Sequence, residues 1–232
     1  MKKQIQLLRG AMVFLALLTI NSTAFAGFVI KSGATIKVKS GTSLVAKVDV
    51  TVSDGATVTN DGTITLRKNF TNNGTANLGT GEFILEGTTG AQLVDGTAVS
   101  EFGILTVNNS DGVSLGNSVR VNTGMTMTTG VVELYDYNFT VGPGVTSVSG
   151  TFDATCMIAT NGTGEMRKEY EGALGSFLFP VGELDGTVEY SPITLNTTAG
   201  DFTGNKFLGV RVVDAKHPNN NSYDHYLTRY WQ

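Results

Sequence analysis

From Gly33 to about Gly150 the chain repeats one phrase: a glycine, apolar residues on alternate positions, then a polar turn. It reads Gly55-Ala-Thr-Val58, Gly62-Thr-Ile64-Thr-Leu66, Gly81-Glu-Phe83-Ile-Leu85, Gly112-Val113-Ser-Leu115 and Gly124-Met125-Thr-Met127. Apolar residues every second position, bounded by Gly, Asn and Asp, predict short half-buried strands. The runs are too short and too close together to leave room for helical crossovers. Asp-Gly falls at 54, 61, 95, 111 and 185 and Asn-Gly at 73 and 161, each between apolar runs. Glycine tolerates positive φ and Asx side chains bond their own backbone, so these pairs predict turns or corners.

Two all-β architectures fit: antiparallel hairpins in a sandwich or meander, and a parallel β-helix in which each strand stacks on its counterpart one coil later. The uniform strand length and the recurring Asn-rich corner, Thr59-Asn60-Asp61-Gly62-Thr63 and Thr71-Asn72-Asn73-Gly74-Thr75, favour the β-helix. Spacing alone leaves open whether these are two corners of one coil or of neighbouring coils. At roughly 20 residues per coil, residues 28–160 predict about six or seven coils. That is a rod on the order of 30 Å long.

The phrase fades near Gly162. Residues 164–232 hold 10 of the 20 aromatics and three of the four prolines. Phe177–Val181, Tyr190–Leu195 and Phe207–Val213 predict longer antiparallel strands of a sandwich. The expected organisation is a leader over 1–26, a β-helix-like repeat domain over 27–162, and the start of a β-sandwich over 163–232. The closing run Tyr226–Gln232 alternates like a strand and has no turn or cap after it, which predicts a module that continues in a longer protein.

Met157–Lys168, Phe179-Pro180-Val181-Gly182 and Tyr190-Ser191-Pro192-Ile193-Thr194 together resemble a module of large secreted surface proteins of the Bacteroidota, in which a β-rich stretch precedes a sandwich. The resemblance covers most of the chain beyond the leader, through structural phrases of low chemical specificity. It implies export like that of type IX secretion substrates and an adhesin-like or scaffold role. It carries no catalytic residue onto this chain.

The N-terminus reads as an address. Lys2, Lys3 and Arg9 precede the apolar run Ala11–Leu18, and Ala24-Phe25-Ala26 supplies small residues where a signal peptidase reads them. A basic start, a short apolar stretch and an A-x-A site predict a secretory signal peptide cleaved between Ala26 and Gly27, whereas a spanning helix needs about 20 apolar residues. Gly27 stands where a lipoprotein would need Cys. No later segment is long and apolar enough to span a membrane, so the expected location is the cell surface or the extracellular medium.

Charge then narrows the partners. The whole chain has 16 Lys+Arg against 20 Asp+Glu. Without the leader, 13 basic residues face 20 acidic ones, a net of −7. A nucleic-acid binder shows a basic face, so no nucleic acid is expected as partner. Cys156 is the one cysteine, which excludes an intrachain disulfide. Lys31, Lys37, Lys39 and Lys47 cluster in the first predicted coil. An anionic-glycan or membrane-surface site would use them; the preferred reading is edge protection, because lysines discourage stacking on an unpaired sheet edge.

Little chemistry presents itself. Glycoside hydrolysis needs two carboxyl groups facing one cleft. Glu82 and Glu86 share a strand face only if the strand reaches Glu86, and Glu133 and Asp136 face opposite ways in a regular strand. Cys156 lies in an apolar run that predicts a buried, inert thiol. Asp214, His217, Asp224 and His225 have the donor types for a metal, but Lys216–Ser222 reads as an exposed loop, so no metal or cofactor is assigned. Tyr223, Tyr226, Tyr230 and Trp231 form the densest aromatic cluster and are the candidates for stacking on a ligand. The expectation is a secreted, non-enzymatic, adhesin-like or structural stalk binding an extracellular glycan or surface protein. The alternatives are a polysaccharide-degrading lyase or hydrolase on a β-helix, and a spacer for a further C-terminal domain.

Overall fold

The computed structural model describes residues 27–172, 175–200, 204 and 206–232, and within them it is all-β. The expected leader, with its Ala26–Gly27 cleavage point, lies outside the described residues apart from Gly27 itself. The chain winds into a parallel β-solenoid of about seven turns. One face stacks Phe28–Ile30, Val50–Val52, Phe70–Asn72, Gln92–Asp95, Val113–Leu115, Val132–Glu133, Ile158–Ala159 and Val181–Glu183, all in parallel. Partner residues such as Phe28 and Val50, Val50 and Phe70, or Val132 and Ile158 set coils of 19 to 26 residues.

The other two faces share one sheet. Thr35–Val38 and Thr57–Asn60 begin the second face; Ser43–Ala46 and Thr63–Leu66 begin the third. The strands Thr75–Leu85, Ser100–Asn108 and Val119–Thr129 then run through both faces without a break. They turn the corner at a register shift between Phe102 and Ile104. Gly103 sits in that shift, where a Cβ would stand 2.4 Å from the Gly79 carbonyl oxygen. The corner admits only glycine because the neighbouring coil's backbone occupies the space of a side chain.

Asn60 and Asn72 mark different corners on neighbouring coils. Asn60 pairs with Val38 at the end of the second face, and Asn72 pairs with Val52 at the end of the first. Both are fully buried, and both are satisfied in the same way. The Asn60 Oδ1 accepts from the Gly62 N–H at 3.0 Å while its Nδ2 donates to the Glu82 carbonyl at 2.8 Å. The Asn72 Oδ1 accepts from the Gly74 N–H, and its Nδ2 donates to the Val99 carbonyl. Asp54-Gly55, Asp95-Gly96, Asp111-Gly112 and Asp185-Gly186 take positive φ at glycine, as the turn reading requires. Asp61-Gly62, Asn73-Gly74 and Asn161-Gly162 do not; their glycines are needed for close approach to a neighbouring backbone.

Inward residues fill the solenoid with apolar side chains. Phe70 and Phe83, from two faces of one coil, and Phe102, from the next coil, pack together, with ring centroids 5.3 Å apart for Phe70 and Phe83 and 4.9 Å apart for Phe83 and Phe102. The parallel ladders run past residue 162: Met166–Tyr170 pairs in parallel with Phe139–Val141, and Val181–Glu183 with Ile158–Ala159. Antiparallel strands follow. Glu189–Tyr190 pairs with Val181–Glu183, Lys206–Val210 with Met166–Tyr170, Ser176–Phe179 with Ile193–Asn196, and Val212–Val213 with Tyr230–Trp231. The expected strand over 226–232 is reduced to Tyr230–Trp231, because residues 223–229 bend away instead of pairing.

Phe83→Ala removes the middle ring of the aromatic cluster. It is expected to destabilise the fold by about 3–5 kcal/mol, read as a lower guanidinium midpoint in far-ultraviolet circular dichroism.

Candidate functional site

Tyr223, Tyr226, Tyr230 and Trp231 come to one end of the molecule but not into one stack. The Lys216 Nζ lies 4.8 Å from the Tyr226 ring centroid and 5.7 Å from that of Tyr223, between the two rings. The same amine donates to the Ser222 carbonyl, which fixes the loop under it. Tyr230 turns away and packs edge-on against His217, with centroids 4.8 Å apart at 74°. Trp231 lies opposite Val212 in the short antiparallel pair and donates from Nε1 to the Ser191 carbonyl at 2.8 Å.

The loop holds its shape by local bonds. The His217 Nδ1 accepts from the Asn219 N–H, the Asn220 Oδ1 from the Ser222 N–H, and the Ser222 Oγ from the His225 N–H. Arg229 pairs with Glu189 and donates to the Ser191 Oγ at 2.9 Å, tying the last strand to the hairpin that ends the first face. Tyr223 is 91% exposed, Leu227 69%, Tyr226 47% and Trp231 39%. Exposed aromatic and aliphatic side chains gathered on a braced loop are the usual look of a contact surface. Sequence reasoning singled out the four rings; it missed the parts played by Lys216, seven residues before the aromatic run, and by Leu227 inside it.

The candidate metal donors do not converge. Among the described residues no group of three or more His, Cys, Asp or Glu side chains is placed to hold a metal ion.

The carboxylates weighed for hydrolysis mostly bind neighbouring coils. The Glu82 Oε1 accepts from the Thr106 hydroxyl at 2.7 Å, and Glu86 pairs with Arg67 at 3.0 Å. The Asp136 Oδ1 accepts from both the N–H and the hydroxyl of Thr163, bonds that hold its carboxyl below the usual range. Glu133 hydrogen-bonds to Tyr135, and that bond, with burial, raises the tyrosine's pKa. Cys156 is buried, and burial followed by the charge of Asp153 pushes its thiol up. It is a poor nucleophile there.

One buried cation escaped sequence reasoning. Lys168 continues the inward row of Val121 and Val141 and is only 4% exposed. Its Nζ donates to the carbonyls of Gly142 at 2.8 Å and Pro143 at 3.3 Å, and lies 5.3 Å and 5.5 Å from the Tyr170 and Phe177 ring centroids. The alternation Met166-Arg-Lys168-Glu-Tyr170 was the available signal, since it places Lys168 on the buried side.

The chain matches no family model, no curated protein and no solved structure. The reading of the site therefore rests on its own geometry.

Burial lowers the Lys168 pKa to about 8, with the charge of Glu169 opposing. Its folded pKa lies below its unfolded one, so the unfolded chain binds more protons between the two values and stability rises with pH across that window. Relative to Lys168→Met, the natural chain is expected to gain about 1–2 kcal/mol between pH 8 and 9.5, measured by denaturant unfolding at each pH.

Proposed function

We propose that the chain is a secreted, non-enzymatic surface protein: a β-solenoid stalk that presents a contact patch at its C-terminal end to an extracellular glycan or surface protein. The observation that carries this reading is the pairing of a filled, continuous solenoid with the exposed side chains of Tyr223, Tyr226 and Leu227 on a loop braced by Lys216 and Arg229. Tyrosine and tryptophan offer large rigid faces with a polar edge, which suits stacking on sugar rings and packing against protein. The coupling of carboxylates to neighbouring coils supports a structural use of the acids over a hydrolytic one. The leader sequence supports export, and the resemblance to Bacteroidota surface proteins supports a type IX route.

Mass spectrometry of the protein recovered from culture medium or cell surface is expected to find a chain beginning at Gly27; a chain that stays in the cytoplasm with its leader attached refutes export. A glycan array and a cell-adhesion assay on the exported protein are expected to give binding that Tyr223→Ala with Tyr226→Ala weakens about tenfold, at roughly 0.5–1.5 kcal/mol per ring, with an unchanged unfolding midpoint. Blank results in both assays overturn the binding reading.

A further inference from the structure

The first coil differs from all the others in charge and in pairing. Residues 27–48 hold four lysines and no Asp or Glu, whereas residues 49–232 hold 9 Lys+Arg against 20 Asp+Glu. Lys31, Lys37, Lys39 and Lys47 are all exposed, and Lys37 reaches Asp61 on the next coil at 3.2 Å. Among the described residues, Phe28–Ile30, Thr35–Val38 and Ser43–Ala46 each pair on one side only. All three faces therefore present a strand edge at the same end of the solenoid.

That end is also apolar. Val29 and Val45 are each 50% exposed, and Phe28, Ile36 and Leu44 line a cavity that reaches inward to Phe70 and Phe83. The edge direction follows from the ladder. Thr63 and Arg67 donate to the carbonyls of Thr42 and Ala46. Residues of one strand alternate sides, so the Val45 N–H points to the open side.

An occupant must meet three demands at once: bond the free backbone edge, cover apolar side chains and neutralise lysines. A lipid surface covers the apolar residues and attracts the lysines, but strand edges in hydrocarbon lose water and gain no partner. The same coil of a second copy would bring lysines against lysines. A polypeptide strand bearing carboxylates meets all three demands, by adding to the sheet edge.

We propose that the open first coil is a docking surface for an acidic partner polypeptide, which extends the ladders by strand addition, lays apolar side chains over Phe28, Ile36 and Leu44, and sets its carboxylates against the lysine rim. This surface lies at the opposite end of the ladders from the aromatic patch, and it stands or falls separately from the binding reading given to that patch.

The test titrates the chain beginning at Gly27 with a fluorescent peptide of alternating valine and glutamate, using a peptide with lysine in place of glutamate as control. Fluorescence anisotropy is expected to show binding of the acidic peptide alone, weakening as salt is raised. Charge reversal by Lys31→Glu, Lys39→Glu and Lys47→Glu together is expected to weaken it about tenfold or more. Val45→Pro removes one outward N–H at an edge position where proline is tolerated, and is expected to weaken binding about threefold or more with the charges intact. Circular dichroism checks both variants; if the reversed chain misfolds, the corresponding Lys→Gln triple carries the same test with a smaller loss. Equal binding of the lysine peptide, no effect of the charge variants, or no effect of Val45→Pro overturns the proposal. Tighter binding to vesicles of anionic phospholipid than to the acidic peptide also overturns it, in favour of a lipid surface. Self-association in sedimentation that is lost in Val45→Pro does the same in favour of a second copy.

Discussion

Every backbone N–H and C=O of a parallel coil must be bonded by the coils on either side, and the chain must still turn three corners per coil without stranding any of them. This requirement shapes the rest of the molecule. Straight stretches meet it by ladder bonds, so any residue with the right inward or outward character serves there. Corners cannot, and the sequence becomes selective at them. Asn60, Asn72 and Asn109 each accept from a backbone N–H two residues ahead and donate across to a neighbouring coil. Gln92 does similar work, donating to the carbonyls of Leu66 and Lys68. These amides are buried, where an unbonded backbone group is costly, so they stabilise a corner by more than an exposed turn residue would.

The same requirement explains where the acids went. A side chain on the outer rim of a corner lies beside its counterpart one coil away. Asp49 accepts from the Asn69 N–H at 3.0 Å, Asp111 from the Gly90 N–H at 2.7 Å, and Asp136 from the Thr163 N–H at 3.1 Å. Each is a rung between coils outside the backbone ladder. A catalytic carboxylate needs an unclaimed environment that sets its pKa for proton transfer. Those at the corners are already claimed by backbone donors.

The parallel solenoid was legible in the sequence because period-two apolarity and the glycine-led corners are local signals that recur with every coil. Register was not, since coil lengths vary and only spatial pairing shows that Asn60 and Asn72 belong to different corners. The long strands Thr75–Leu85 and Val119–Thr129 were hidden for a related reason. Their corners are turned at lone glycines by register shifts within a continuous ladder, without the Asp-Gly or Asn-Gly pairs that mark other corners. At the candidate site, aromatic density pointed to Tyr223, Tyr226, Tyr230 and Trp231. Their division into a lysine-filled pair, a histidine-packed ring and an indole bonded to Ser191 depends on contacts as distant as 40 residues along the chain. Alternation misread Tyr226–Gln232 as one strand because it carries no information about a neighbour to pair with.

A parallel solenoid leaves two ends, and the chain treats them differently. At the C-terminal end the strand direction reverses, so Glu189–Tyr190 and Lys206–Val210 return antiparallel along the last rungs of their sheets. Reversal lets one hairpin cover an edge, whereas continuing in parallel would only present the next one. Close to that reversal the core row ends in Lys168, whose stem packs among buried aromatics while its amine caps the carbonyls of Gly142 and Pro143. An apolar residue there would leave both carbonyls without that donor, so the buried charge is a means of finishing the row. The first coil has no such finish among the described residues. Its strands keep the direction of the ladder, and its lysines stand on the rim rather than in the core. One end is closed by backbone reversal and an internal cation, and the other is bounded by external cations. That difference gives the solenoid a direction.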